Sequence, residues 1–453
     1  MRTDAVARPP LGALCALFLA AVVAMLWAMR AIAVKGFSGA IEVAAAAVAP
    51  IAGWIAWSRP LLFPYGLYAI LAPLDALTQL SAREGTVARI VGAAAAAALL
   101  LYSVRTRGLR PPPRAVLWAA LLCGWIALST LWSVAENPGL EALTMLQLFG
   151  LYIVLATFPT QERDIVAVLC AILIGGLIAA AVGIYEYHAG GITETQSLQD
   201  FSRVTVVIGN DRVDPNMYGD SLLLPFAIAL AWFVRTRRLL GKAVALAAMT
   251  MLLIAVAIVG SRDAAIGVGI EAVVLTTVLR VWRKVALPLV GMAVAVMLFF
   301  PNVIERVIQD SGNGGSGRTS IWRVGLAGFL HHPVFGSGSG SYATIYNQWY
   351  LRVFERVDPG WDLASHNIIL HYGVEFGVIG LALVFGWCVA QWLLAKALPK
   401  IGLLGDARAV CLASLAAFAF VAFFIDVFDS KFVWLAFGLV AQVRSVALFG
   451  KGR

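Results

Sequence analysis

A chain of 453 residues that is 61% hydrophobic and 13% charged, with a mean hydropathy of +0.86, has too little polar surface to cover itself in water. That excludes a soluble globular protein and leaves a polytopic all-α membrane protein. The net charge of +9 sits in short segments between apolar runs rather than in one basic patch, so it reports orientation in a bilayer and not nucleic-acid binding.

Apolar runs of span length recur in chain order at Leu11 to Trp27, Ala40 to Trp57, Leu61 to Leu80, Val87 to Val104, Ala115 to Leu131, Leu143 to Phe158 and Ile165 to Tyr185. They continue at Met217 to Val234, Ala243 to Gly260, Ala264 to Val281, Val285 to Phe300, Ile368 to Ala395, Ala409 to Phe424 and Phe432 to Leu448. The expected number of spans is twelve to fourteen, because the proline-punctuated piece from Ser58 to Pro64 suits a re-entrant or surface element. The first run is too long for a signal-peptide core and is expected to stay as an anchor. Cys15, Cys123, Cys170, Cys388 and Cys411 all fall within these runs without CxxC spacing, which argues against disulfides and thiolate metal sites.

With a cytoplasmic amino terminus and an even number of spans, the basic segments Arg105 to Arg114, Arg235 to Lys242, Arg280 to Lys284 and the tail from Arg444 all fall inside, and so does the carboxyl terminus. Arg30 and Lys35 run against this rule. The opposite segments are longer and acidic, and all five histidines (His188, His331, His332, His366, His371) lie there or at adjoining helix mouths. The chain thus divides into a first part of the helical bundle (residues 1–300), a large outer loop with short helices (301–365) and a last part of the bundle (366–453). In the loop, the stretch from Arg318 to Leu330 reads as a short amphipathic helix. The Gly-Ser-rich runs 311–317 and 336–341 read as hinges of a loop that closes over a ligand; a polar crossover without such a role is the bland alternative.

The sequence SHNIILHYGVEFGVIG places His366 at the mouth of a long apolar run. On an ideal helix of roughly 100° per residue, His366, Gly373, Gly377 and Gly380 fall within about 60° of one another, a face made for close packing against protein. An imidazole at such a rim suits proton chemistry. Arg262, in Gly260-Ser261-Arg262-Asp263, is a cation on the outer side; either Asp263 pairs with it or caps the next helix, or its planar fork serves a phosphate. Arg203 and Arg212 precede Asp214-Pro215-Asn216, a turn and helix start, and either is equally a loop charge paired with Asp200 or Asp211. The pairs His331–His332 and His371–Glu375 each offer two metal ligands without a third, so no metal is expected. The P-loop pattern is absent, so no nucleotide is expected either.

These residues resemble the O-antigen ligase, O-antigen polymerase and protein O-oligosaccharyltransferase superfamily. The likeness rests on His366-Asn367 followed by Gly377 and Gly380, on Ser261-Arg262, on Arg203 or Arg212 with Asp214-Pro215-Asn216, and on Arg318, Trp322 and the run from His332 to Gly340. Asp263 stands where the family often has glycine, and the spacing from Arg203 to Pro215 is longer than usual. The resemblance implies about twelve spans in a GT-C-like architecture with one larger periplasmic loop. It also implies transfer of a preassembled O-antigen from undecaprenyl diphosphate to lipid A-core at the periplasmic face of the inner membrane, without metal, cofactor or nucleotide. His366 would then be the general base, Arg262 with Arg203 or Arg212 would neutralise the diphosphate, and Asn216, Asn367, Ser261, Arg318, Trp322 and Arg323 would line the substrates. Trp322, Tyr342, Tyr346, Trp349, Tyr350 and Trp361 offer platforms for sugar rings or belong to an interfacial belt. Polymerase and pilin-glycosylating activities share the motifs; a lipid-linked glycan flippase would call for more ionisable groups at mid-membrane.

Overall fold

The computed structural model describes residues 49–81, 85–188, 193–195, 202–204, 207–208, 211–212, 214–299, 318–354 and 364–449. The first expected span, the first half of the second (residues 40–48), the 311–317 run and Trp361 lie outside them. The chain divides into two compact units, Met1–Arg59 and Pro60–Arg453. In the first, residues 49–58 form a helix (α1).

The second unit is built of helices with short outer strand pairs. In order they are α2 (Tyr65–Leu71), α3 (Val87–Arg105), α4 (Ala115–Ser129), α5 (Gly139–Thr157), α6 (Glu162–His188), α7 (Pro215–Ser221), α8 (Leu223–Arg235) and α9 (Leu239–Val259). They continue with α10 (Arg262–Leu279), α11 (Trp282–Phe299), α12 (Arg318–His331), α13 (Tyr342–Phe354), α14 (Ile368–Lys396), α15 (Gly402–Val421) and α16 (Lys431–Phe449). Three antiparallel pairs, β1 (Gln79–Ser81) with β2 (Gly85–Thr86), β3 (Thr193–Thr195) with β4 (Ser202–Val204), and β5 (Val207–Ile208) with β6 (Asp211–Arg212), punctuate the loops. Among the described residues, eight helical segments are long and apolar enough to cross a membrane, and Ala115–Ser129 is a shorter apolar helix. This is an all-α polytopic membrane protein.

Two apolar runs that read as single spans are interrupted. The run from Leu61 to Leu80 becomes α2 followed by a 3-10 helix, Ala72–Thr78, at the point where Pro73 removes a backbone donor. The run from Met217 to Val234 is interrupted only by a turn at Leu222 between α7 and α8, so that Pro215–Arg235 as a whole remains one of the eight membrane-length segments, with Pro225 in the first turn of α8, where its missing N–H costs no helical bond.

Small residues set the helix approaches. On α6, a side-chain carbon at Gly175 would stand 2.3 Å from the Ile70 carbonyl oxygen and one at Gly176 would stand 2.4 Å from Pro225. Without Cβ atoms there, α2 and α8 reach the α6 backbone. Tyr218 of α7 donates its hydroxyl to the Ala179 carbonyl of α6 at 2.6 Å. Buried polar groups inside the bundle are bridged between helices: Ser414 of α15 donates to Glu271 of α10 at 3.0 Å, and Gln391 of α14 donates to the Tyr152 hydroxyl of α5 at 2.8 Å. Such bonds offset the desolvation of groups that lipid cannot satisfy.

Candidate active site

The long helix α14 begins one residue later than the motif. Asn367 is its cap: Oδ1 accepts the N–H groups of Ile369 and Leu370 at 2.9 and 3.1 Å, and Nδ2 donates to the Phe423 carbonyl at 3.1 Å. Ile368 N donates to the Ala422 carbonyl at 2.9 Å. His366 therefore lies outside the helix, with φ +47°, a left-handed conformation that few residues other than glycine adopt. The expectation that His366 shares a helix face with Gly373, Gly377 and Gly380 is corrected by this, and by a break further along. Gly377 has φ 64° and ψ −166°, which interrupts α14.

The break is filled by the loop from Pro333 to Ser341. Val378 N donates to the Pro333 carbonyl, Ser337 N to Val374 and Gly338 N to Glu375, each at 2.8 Å. A side-chain carbon at Gly377 would stand 2.1 Å from the Val334 carbonyl oxygen. Gly336, Gly338 and Gly340 all have positive φ, the conformation that turns these N–H groups onto the exposed carbonyls of α14. The run 336–341 is thus a docked strap rather than a hinge. Gly373 faces the Phe329 ring of α12, 3.1 Å from where its side-chain carbon would be, and Gly380 would meet Phe376 of its own distorted helix at 2.2 Å.

Beside the strap lies an ionic cluster. His371 Nδ1 is 2.6 Å from Asp426 Oδ2, and Nε2 is 3.3 Å from Glu141 Oε1 and 3.5 Å from Glu375 Oε2. Glu375 accepts Tyr342 N at 2.8 Å and Gly340 N at 2.9 Å, while Glu141 Oε2 accepts Gly340 N at 2.8 Å and the Ser339 hydroxyl at 3.2 Å. The Tyr342 ring stacks on His371, centroids 6.0 Å apart. Glu141, His371 and Glu375 each bring a ligand atom within 4.8 Å of the others, so they could hold a divalent cation. The third ligand that the pair His371–Glu375 lacks in the sequence is supplied by the fold. Glu141 Oε2 and both Glu375 oxygens already accept backbone N–H groups, however, so the cluster is satisfied as a hydrogen-bonded latch.

Residues 422–430 join this cluster to the remaining motifs. After Asp426, Asp429 keeps access to solvent. Crowding by surrounding protein, then the negative charges of Asp426 and Glu141, push its carboxyl up to about 7 against the pull of His371 and Lys431. Ser430 Oγ contacts Met217 Sδ of α7 at 3.8 Å, and Lys431 pairs with Asp75, which also accepts the Thr86 hydroxyl. Further along α7, a side-chain carbon at Gly219 would stand 2.9 Å from Ala264 Cβ and 3.2 Å from Ser261 Cβ. Ser261 caps α10, accepting Ala264 N at 3.3 Å, and its hydroxyl donates to Asp263. Asp263 thus serves the cap, and Arg262 follows on the first turn of α10, partly exposed. Asn216 is buried near the start of α7, with its N–H on the capping Asp214 carboxylate at 2.7 Å.

Residues 246–385 match the model of the family described as O-antigen ligase. The matched stretch carries Ser261-Arg262, the strap with α12 and α13, His366-Asn367 and the Gly377–Gly380 break. That stretch, about a third of the chain, is similar to the O-antigen ligase family. No curated protein matches the chain. The similarity supports, at a coarse level, a glycosyltransferase-like enzyme, and the apolar helices place it in a membrane.

The structure brings the segments carrying His366, Asn367, Asn216, Ser261 and Arg262 to one end of the bundle, linked by the 422–430 loop. Arg203 is paired with Glu194 across β3–β4 and Arg212 with Val207 across β5–β6, and β4 lies against α6 and α9; both arginine side chains, and that of Arg318, lie outside the described residues. Trp322 and Arg323 belong to the α12–α13 lobe, where the Arg323 guanidinium lies over Phe354 at 5.6 Å. In the same lobe Tyr342, Tyr346 and Tyr350 are buried with Ile321, Val324 and Val374. They stack at one-turn intervals as core rather than as open sugar platforms. Sequence reading missed Glu141, Asp426 and Asp429. The available signal was acids in short segments between apolar runs, on the same side as the motif histidine.

Proposed function

We propose that the protein is an O-antigen ligase of the inner membrane, about twelve spans in a GT-C-like architecture, acting at the periplasmic face. It transfers a preassembled O-antigen from undecaprenyl diphosphate to a hydroxyl of lipid A-core. His366 takes the proton from the acceptor hydroxyl as its oxygen attacks the anomeric carbon. The bond to the diphosphate breaks on the opposite side, so the centre inverts. Arg262, with Arg203 or Arg212, stabilises the departing diphosphate, for which a guanidinium fork is better suited than an ammonium. Ser261, Asn216 and Asn367 position these groups, with Arg318, Trp322 and Arg323 as substrate contacts from the outer lobe. Neither metal nor nucleotide has a step in this reaction, since a polyprenyl diphosphate is already an activated leaving group.

The observation that supports this reading most is the convergence at one helix-bundle end: the His366–Asn367 start of α14, the 422–430 loop, the start of α7 and the Ser261–Arg262 start of α10 touch in sequence. A base and a cation at one rim suit transfer between two amphipathic substrates whose lipid tails stay in the bilayer. Deleting the gene and resolving lipopolysaccharide on gels tests it. A ligase mutant retains full-length polymer on the carrier and loses every ladder band on lipid A-core; a single capped repeat indicates a polymerase, and intact lipopolysaccharide with unglycosylated pilin overturns both.

A further inference from the structure

We infer that His371 is a positioning residue for the proposed reaction, acting through the 422–430 loop to hold His366 in its left-handed conformation; this rests on the reading of His366 as the base. A histidine with φ +47° persists only where its surroundings over-determine it. Two carbonyls of the α15–α16 connection hold the residues that follow His366. Ala422 O holds Ile368 N, and Phe423 O holds the Asn367 side chain. Without them, the start of α14 loses two anchors to the α15–α16 connection.

The connection is fixed in turn by His371. Its Nδ1 meets Asp426 Oδ2 at 2.6 Å, three residues beyond Phe423. One turn of α14 above the Asn367 cap, the same imidazole is clamped on its other nitrogen by Glu141 of α5 and Glu375 of α14. Both carboxylates also accept the strap amide of Gly340, and Glu375 accepts Tyr342 N at the start of α13 as well. Each ring nitrogen faces a carboxylate oxygen, so the set is satisfied when both nitrogens donate. The result is a closed mechanical circuit: α5, strap and α14 hold His371, His371 holds Asp426, and the loop beyond it holds Asn367 beside His366. Displacement of a catalytic group by about 1 Å costs about 100-fold in rate, so a latch of this kind is felt in kcat rather than in substrate binding.

The test uses the full-length protein in nanodiscs with carrier-linked glycan and lipid A-core. His371→Gln is expected to lower kcat about 10- to 100-fold, to leave KM for both substrates within about twofold, and to keep the kinetic pKa of the wild type. Asp426→Asn should act alike, and the double variant should be no slower than the slower single one, because both remove the same bond. If His371→Gln fails to fold, as judged by elution profile, Asp426→Asn alone carries the same expectation. Wild-type kcat in either folded variant, or losses that multiply in the double one, overturns the latch. A kinetic pKa that vanishes in His371→Gln but survives in His366→Gln would make His371 the base. Such a result overturns the assignment of His366 as well, whereas an inactive His366→Gln with a wild-type His371→Gln overturns the latch alone.

Discussion

The two ends of the helical bundle handle charge in opposite ways. At the end that carries the basic loops, the described polar contacts are wet: Arg235 meets Asp406 at 3.1 Å with the arginine 65% exposed, and the exposed Arg408 donates to the Lys396 carbonyl. At the other end, His371, Glu141, Glu375 and Asp426 interlock with each other and with backbone amides, Glu375 being 1% exposed. Exposed pairs of the first kind are worth about 0–1 kcal/mol. Breaking a buried and hydrogen-bonded set of the second kind leaves uncompensated charge, at several-fold greater cost. The contrast separates charge that orients the protein in the bilayer from charge that builds a site.

Substitutions can sharpen that contrast. The largest effect on stability is expected at Gly377→Val, which puts a branched side chain at φ 64° where even one carbon would stand 2.1 Å from the Val334 oxygen. The backbone strain alone is about 1–3 kcal/mol, and the strap must leave the break as well. Thermal unfolding of the purified protein should show a fall of several degrees or loss of the folded form, whereas Gly124→Ala on α4, with open space around it, should be near neutral.

Arg262→Ala should next lower transfer by about 100-fold in kcat, the loss expected when one stabiliser of a leaving-group charge is removed, with little change in unfolding temperature. Arg262→Lys should recover only part of it.

Much of this was legible in the sequence because it is local. The span-length apolar runs and the Asp214-Pro215 helix start each follow from a few neighbouring residues, whereas the Asn367 and Ser261 caps emerge only in the structure. What was not legible depends on distant chain. GVEFGVIG reads as continuous helix, and only the insertion of the 333–341 strap explains why Gly377 opens it. Glu141 meets His371 across 230 positions of chain, so the imidazole that seemed to lack a third partner gains two. The aromatics of α13 read as sugar platforms or as an interfacial belt, because nothing in their spacing reveals that Tyr342, Tyr346 and Tyr350 pack with Ile321, Val324 and Val374.

A smaller effect is expected at Asp429. Its carboxyl titrates near 7 in the fold against the ordinary carboxylate range in the unfolded chain. Between those values the folded state binds the extra proton, so stability falls as pH rises through that window. Asp429→Asn should therefore raise the unfolding temperature at pH 8 more than at pH 5; an equal shift at both would contradict the sign. The smallest effect belongs to the opposite end, where Arg235→Ala should change stability by less than about 1 kcal/mol and leave transfer untouched.

The central claim is that His366 is the base of a glycan transfer carried out at the interlocked end. Purified His366→Ala, reconstituted with carrier-linked glycan and lipid A-core, should bind the donor as the wild type does while transfer falls by about 10² to 10⁴-fold. Transfer at the wild-type rate in that variant would contradict the account.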